Sequence, residues 1–139
     1  MTRMWNQGTD LFTMQQNIKS IIHKSMRINI RMVDVIELTY EDFELICNKI
    51  RCIKGAEEIE RYGVSIITAW VVSYKYGKQD MVNDILGEIF RNLPQHQTKY
   101  VMESITTIFF DYQIDSFGYQ IMRLEDLREI VARHAGWKN

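Results

Sequence analysis

Proline and cysteine are scarce in this chain of 139 residues, which has one proline and two cysteines. Pro94 is the single proline, and no stretch rich in Pro, Gly or Ser marks a linker, so we expect one domain. Two cysteines are too few for the disulfide framework of a small secreted scaffold. On a helix, Cys47 and Cys52 would be separated by about 140° of rotation, so they would not pair with each other. Two reduced cysteines favour a cytoplasmic, reducing compartment.

Long apolar runs are also missing. The longest uncharged apolar run, residues 64–74, is shorter than the roughly 18 residues that a membrane-spanning helix needs, so we expect no transmembrane segment. The N-terminal region lacks the pattern of a secretory signal. Residues 11–33 are basic and contain no acidic residue, which makes a mitochondrial presequence the alternative for localisation.

The overall composition is that of an ordinary globular domain, with 46% hydrophobic and 25% charged residues. The net charge of −1 and the pI near 6.3 exclude a uniformly basic coat for nucleic acid. We expect residues 1–9 to form a flexible N-terminal arm and residues 10–139 to form a single helical domain. Isoleucine is favoured over leucine and alanine is rare, a bias typical of the AT-rich genomes of viruses, phages and mobile elements.

An amphipathic helix is predicted to begin after Thr9 or Asp10, either of which can cap it. From Leu11 onward, apolar residues recur at a/d heptad spacing, which predicts a long helix with a narrow apolar seam. Such a seam pairs with another helix, either in the same chain or in a second copy. The seam residues that are candidates for an oligomer interface are Leu11, Met14, Ile18, Ile21, Ile28, Met32 and Val35.

The second half of this segment has another interpretation. Met26, Ile28, Ile30 and Met32 alternate with polar residues, and a period of two residues is typical of a half-buried strand. An α+β fold with a strand near 26–38 is therefore the alternative to an all-α fold.

The rest of the chain predicts further helices with short connections. Thr39, followed by two acids, is typical of a capped helix start, and Asp80 is predicted to cap a later helix. Residues 64–76 are apolar nearly all round, which indicates a buried central helix. Gly55 and Pro94 are predicted to mark helix ends. We therefore predict an all-α bundle of five or six helices.

Motifs for enzymatic chemistry are few. The sequence contains no glycine-rich phosphate loop, no serine nucleophile elbow and no zinc-protease pair of histidines. Asp80, Asp84 and Glu88 recur at helix spacing, but they lie opposite an apolar face, as solvated charges do. We predict no metal site and no other cofactor.

Arg128 and His134 lie on the predicted last helix with five residues between them. This spacing resembles the Arg–His motif of HEPN ribonucleases, a family of small all-α proteins. The resemblance implies that the pair meets across a dimer and cleaves RNA. In such a site His moves a proton and Arg stabilises a developing negative phosphate. The alternative is that both side chains complement the negative end of their helix.

Basic residues are concentrated near the N-terminus, where residues 1–33 contain five cations and a single acid. Such asymmetry is typical of an interaction surface. A second nucleic-acid candidate is a helix-turn-helix over residues 80–112, whose second helix opens with polar side chains. The candidate contacts are Lys19, Lys24, Arg27 and Arg31 in the first region and Gln95, His96 and Lys99 in the second.

Large adaptable side chains are abundant, with eight Met, seven Tyr, six Phe and three Trp. These residue types are favoured at protein interfaces. We therefore expect a non-enzymatic protein–protein interaction module, such as an adaptor, inhibitor or regulatory partner, that forms homo-oligomers through its N-terminal helix. A nucleic-acid-binding protein is the first alternative, and a HEPN-like ribonuclease is the second.

Overall fold

The structure is a computed structural model that describes residues 3–27, 37–111 and 124–135. In these ranges the chain forms seven α-helices and no strand, which confirms the predicted all-α class. The count is slightly above the predicted five or six, and the short helix that ends at Arg61 is separated from the next by a single residue, Tyr62. The helices are α1 (Leu11–Arg27), α2 (Tyr40–Ile50), α3 (Gly55–Arg61), α4 (Gly63–Tyr76), α5 (Gln79–Arg91), α6 (Gln95–Asp111) and α7 (Leu124–Ala135).

Helix α4 occupies the centre of the bundle. Every residue from Gly63 to Ser73 is buried, and α4 packs against α1, α2, α3, α5 and α6. This position follows from a segment that is apolar nearly all round, because only a helix surrounded by others can bury every side. The hydroxyl of Thr68 donates to the carbonyl oxygen of Val64 at 2.7 Å, so this polar group is buried with a hydrogen-bond partner.

The seam of α1 packs inside the chain. Leu11, Met14 and Ile18 are buried in the core that α1 shares with α2 and α4, and Ile21 is half-buried against it. A second copy could reach these side chains only if α1 left the core. The seam therefore packs against other helices of the same chain, and Leu11, Met14 and Ile18 belong to its core.

The remainder of the predicted seam lies outside the described residues. This applies to Ile28, Met32 and Val35, to the basic residue Arg31, and to the choice between helix and strand for 28–36. Residues 37–39, which lead into α2, are neither helix nor strand, and Leu38 among them is buried.

The segment that precedes α1 is docked on α2. Trp5 is buried, and the carboxylate of Asp42 accepts hydrogen bonds from the backbone N–H groups of Met4 at 2.8 Å and Trp5 at 3.2 Å. Asp42 is itself buried, and hydrogen bonds to a charged acceptor are stronger than neutral ones. The sequence predicts a flexible arm here because one isolated anchor residue produces no periodic pattern.

Two helix starts follow the predicted capping chemistry. Thr39 caps α2, because its side-chain oxygen accepts a hydrogen bond from the backbone N–H of Asp42 at 3.1 Å. Asp10 caps α1 in the same way and accepts from the backbone N–H of Thr13 at 2.8 Å. Each cap satisfies a backbone donor that the first helical turn leaves unpaired.

Two other predicted boundaries are wrong. Asp80 does not cap α5, because that helix begins one residue earlier, at Gln79, with Lys78 in the N-cap position. Gly55 does not end a helix but begins α3 with a φ of +84°. The difference at Asp80 is a single residue, which is within the usual uncertainty of a helix end, whereas Gly55 lies at the start of a helix and not at the end of one.

Helices α5 and α7 form the most extensive helix pair, to which α7 contributes the buried side chains of Leu127 and Val131. Helix α6 packs on α3 and α4 instead of returning onto α5. Ile108 of α6 lies so close to Gly63 that a Cβ atom there would be 2.5 Å from the Ile108 Cδ1 atom. A side chain larger than hydrogen at this position would require the end of the Ile108 side chain to move.

Candidate interaction surface

The candidate site is the side of α1 that faces away from the core. Because an α-helix has 3.6 residues per turn, positions opposite Met14 and Ile18 point to solvent. Phe12 lies on this side and is 56% exposed, more than any other large hydrophobic residue that the structure describes. We call this surface the outer face of α1, and it consists of Phe12, Gln16, Lys19, Ser20, His23, Lys24 and Arg27.

The outer face carries positive charge and no negative charge, because no acidic residue occurs from Leu11 to Arg27. Lys24 and Arg27 are exposed in the last turn, where cations complement the negative end of the helix dipole. At the other end, hydrogen bonds from the Thr13 hydroxyl and backbone N–H lower the pKa of Asp10, because they stabilise its ionised form. The cations are thus concentrated in the second half of the helix.

Three of the four predicted N-terminal nucleic-acid contacts lie in α1, but Lys19 and Lys24 are five residues apart and so are separated by about 140° around the helix. Lys24 and Arg27 are exposed, and Lys19 is half-buried. The sequence prediction did not include Phe12 among the candidate contacts. Helical spacing from Phe12 to Gln16 and Lys19 is the signal that places the ring on the basic face.

The second predicted nucleic-acid region has the expected order of elements, with α5, a turn at residues 92–94 and then α6. His96 and Lys99 are exposed in the first turns of α6, and the side chain of Gln95 lies outside the described residues. Helix α6 packs against α3 and α4, so some of its side chains are buried in the core and others are exposed to solvent. Val101 and Ile105 of α6 are buried.

A second surface surrounds Tyr100, the other large hydrophobic residue that is more than half exposed, at 53%. Its hydroxyl donates to the Glu60 Oε2 atom at 2.7 Å, and this hydrogen bond and the nearby charge raise the pKa of Tyr100. Glu57 of α3 is exposed one turn before Glu60, and Glu103 of α6 is exposed one turn after Tyr100. We call Glu57, Glu60, Tyr100 and Glu103 the Tyr100 patch. The sequence prediction did not identify it, because its residues come from two helices.

The proposed HEPN-like pair is only partly described. The guanidinium of Arg128 donates to the Thr106 hydroxyl of α6 at 2.9 Å, and Arg128 is exposed. The side chain of His134 lies outside the described residues. The hydrogen bond gives Arg128 a structural role, because it connects α7 to α6.

The acids Asp80, Asp84 and Glu88 are exposed on α5, as their position opposite an apolar face predicts. The described residues contain no group of three or more His, Cys, Asp or Glu side chains placed to hold a metal ion. A shallow groove of about 200 Å³ lies between the N-terminal segment and α2, and the sequence prediction missed it because it requires that segment to be docked. Its lining residues are Arg3, Gln7, Glu41, Glu44, Leu45 and Asn48.

The two cysteines lie in different environments. Cys47 is buried in α2, and this burial raises the pKa of its thiol to about 12. Cys52 is exposed just after α2 ends. Both cysteines are free in the structure.

Among the helices within the described ranges, none is long and apolar enough to cross a membrane. Comparison of the chain with protein-family models, with curated proteins and with solved structures finds no match.

Proposed function

We propose that this chain is a non-enzymatic protein–protein interaction module and that the outer face of α1 is its binding surface. The observation that carries this proposal is the 56% exposure of Phe12 on a helix face that has cations and no acid. Aromatic side chains act as anchors when they fill a pocket on a partner. Charged residues around such an anchor set orientation and partner choice.

The chemistry of the outer face defines the partner. Phe12 fits an apolar pocket, which excludes water from the ring when the complex forms. Lys24 and Arg27 lie about 20 Å farther along the helix, since each residue adds about 1.5 Å. A partner that binds Phe12 in a pocket would therefore need carboxylates about 20 Å from that pocket to pair with Lys24 and Arg27. An adaptor, an inhibitor or a regulatory protein would use such a surface, and the two free cysteines support a cytoplasmic, reducing location.

A phage-displayed library of random peptides tests this surface against many partner sequences at once. We expect the full chain to enrich peptides that combine an aromatic or aliphatic residue with Asp or Glu. F12A and the double variant K24E/R27E should lose most of this binding, because they remove the anchor and reverse the charge.

The matched control reverses two exposed lysines away from the outer face, Lys75 and Lys78. The variant K75E/K78E has the same change in net charge as K24E/R27E and should select the same peptides as the unmodified chain. Enrichment of peptides without acids, or equal capture by F12A, would overturn the proposal.

Nucleic-acid binding is the second candidate function, because α1 carries three cations and no acid, with Lys24 and Arg27 exposed and Lys19 half-buried. Phosphate contacts make affinity strongly dependent on salt, and four such contacts, with Arg31 included, predict a log–log slope of about −3 to −4 on duplex DNA. Labelled short RNA and duplex DNA, each incubated with the chain at two salt concentrations, measure this slope.

The integrity of the strands would be followed in the same samples. Salt-sensitive binding that K24E/R27E abolishes would favour the nucleic-acid function over a protein partner. Shortened RNA that disappears with R128A and H134A would favour the HEPN-like ribonuclease and contradict a non-enzymatic role. Intact strands without binding agree with the protein–protein proposal.

A further inference from the structure

The N-terminal strap, which we define as residues 3–9, binds α2 in the way that a short peptide ligand would. Trp5 is its one buried side chain, at 5% exposed, while Arg3 and Met4 are exposed. The backbone N–H groups of Met4 and Trp5 donate to the two carboxylate oxygens of the buried Asp42. In peptide recognition, backbone hydrogen bonds supply affinity and a pocket for a large side chain supplies specificity. We call Asp42 and the space that Trp5 occupies the strap site.

The connection between this anchor and α1 is a turn with its own hydrogen bonds. The Asn6 carbonyl oxygen accepts from the Thr9 backbone N–H at 3.1 Å, and the Asn6 side-chain oxygen accepts from the Gly8 backbone N–H at 2.9 Å. Asn6, Gln7 and Gly8 are exposed. Because these bonds join residues of the turn to one another, the turn can open without breaking a helix. When extended, residues 6–9 span about 13 Å, which lets the anchor reach a copy that lies alongside.

Three features weaken the docked strap. The indole Nε1–H of Trp5 is buried and has no hydrogen-bond partner among the residues that the structure describes, and an unpaired buried donor is costly. The groove of about 200 Å³ between the strap and α2 shows that the two are not closely packed along their length. Asp42 is the third residue of α2, a position from which an acceptor side chain can also bond to the N-cap backbone N–H, here that of Thr39. The carboxylate therefore has another partner when the strap leaves.

We propose that the strap is exchangeable and that the strap of a second copy occupies the strap site in trans. This inference goes beyond the proposed function, because it concerns the strap and α2 rather than the outer face of α1. The argument for this occupant is the one seated in the structure. The strap fits the site of its own chain, so the identical segment of a second copy can make the same contacts. Exchange of an identical element between copies is a low-cost route to a dimer.

Competition with the chain's own strap sets the expected strength. A segment tethered by a short connection has an effective concentration on the order of 1 mM at its own site. A second copy competes poorly below that concentration, so the unmodified chain is largely monomeric. Two complementary variants remove this competition, because one offers a site without its own anchor and the other offers an anchor without its own site.

The complementary pair of full-length variants is W5A and D42A. W5A keeps the carboxylate of the strap site, and D42A keeps the Trp anchor of the strap. Native mass spectrometry and sedimentation velocity at about 50 μM, far below the effective concentration of the tethered strap, count the copies in each sample. We expect each variant to be monomeric alone and their equimolar mixture to contain a 1:1 heterodimer. Self-association of either variant alone at this concentration would place the contact elsewhere and overturn the proposal.

The matched control mixes W5A with E41A, which removes an exposed carboxylate from the same helical turn as Asp42. The strap of E41A keeps its own site, so this mixture should contain at least about tenfold less heterodimer than the complementary pair. A mixture of folded W5A and D42A that stays monomeric overturns the proposal. Equal amounts of heterodimer in the control mixture overturn it as well.

A synthetic peptide provides the test if W5A or D42A loses the helical circular dichroism signal. The acetylated peptide of residues 3–10, RMWNQGTD, is added to the unmodified chain at millimolar concentration. It should displace the chain's own strap, so the Met4 and Trp5 amides of the chain should exchange with deuterium faster. The same peptide methylated on its Trp amide nitrogen lacks one donor to Asp42 and should bind at least about tenfold more weakly. Unchanged exchange in the presence of RMWNQGTD, or equal displacement by the methylated peptide, overturns the proposal.

Discussion

The side chain of Gln15 connects helix α1 to Ser65, which lies 50 positions later in the first turn of α4. The Gln15 Oε1 atom accepts hydrogen bonds from the Ser65 backbone N–H at 3.1 Å and from the Ser65 hydroxyl at 2.9 Å. The Nε2 atom of the same side chain donates to the carbonyl oxygen of Arg61 at 2.7 Å. The buried amide of Gln15 thereby supplies hydrogen-bond partners to the carbonyl oxygen of Arg61 at the end of α3 and to the N–H and hydroxyl of Ser65 at the start of α4. These bonds hold α1, which carries the outer face, against both helices.

Removal of this amide should destabilise the fold. In Q15A the Ser65 donors and the Arg61 acceptor lose their partner, and each buried unsatisfied group costs about 1–3 kcal/mol. We expect the free energy of unfolding to fall by about 2–4 kcal/mol in urea denaturation followed by circular dichroism. The neighbouring residue Gln16 is exposed, so Q16A should change stability by less than about 0.5 kcal/mol. Equal stability of the two variants would show that the buried amide contributes nothing.

The carboxylate of Asp42 should hold the N-terminal segment on α2. In D42A the backbone N–H groups of Met4 and Trp5 lose their acceptor, so both amides should exchange with deuterium much faster than in the unmodified chain. The matched control is E41A, which removes an exposed carboxylate from the same helical turn. This control should leave the exchange of Met4 and Trp5 unchanged. Equally slow exchange in D42A would mean that burial of Trp5 alone retains the segment.

Periodicity predicted much of the fold. The structure shows α1 as a helix with a buried seam and most of segment 64–76 as a buried helix, because both patterns are local and can be read along the chain. The same patterns could not identify the partner of the seam. Whether Met14 faces a second copy or the chain's own α4 depends on contacts between residues far apart in sequence, which no local pattern encodes.

The candidate surfaces also differ in whether the sequence alone predicts them. The basic character of α1 was predictable, because this one element contains cations and no acidic residue. The Tyr100 patch and the docking of Trp5 were not, because each depends on two segments that are distant in sequence. Isolated anchors of this kind become visible only once the helices are packed.

The two thiols should differ in reactivity towards iodoacetamide. Burial raises the pKa of Cys47 to about 12, so at pH 7–8 almost none of it is in the reactive thiolate form. Cys52 is exposed and should react. Intact-mass and peptide analysis of the folded chain should find one modification, at Cys52, and two after denaturation in urea. Rapid labelling of Cys47 in the folded chain would contradict its burial.

Gly77 should contribute to stability through its backbone conformation. It ends α4 with a φ of +63°, a left-handed geometry that costs a residue with a Cβ atom about 1 kcal/mol. G77A should therefore lower the free energy of unfolding by about 1 kcal/mol, and G77N by less, because Asn tolerates this region better than Ala. The next residue, Lys78, has an ordinary φ of −114° and is exposed, so K78A is the matched control. A Cβ atom at Gly77 would lie in open space, so a loss of stability in G77A reports backbone strain rather than a steric clash. Equal stability of G77A and K78A would argue that the left-handed backbone at residue 77 carries no such strain.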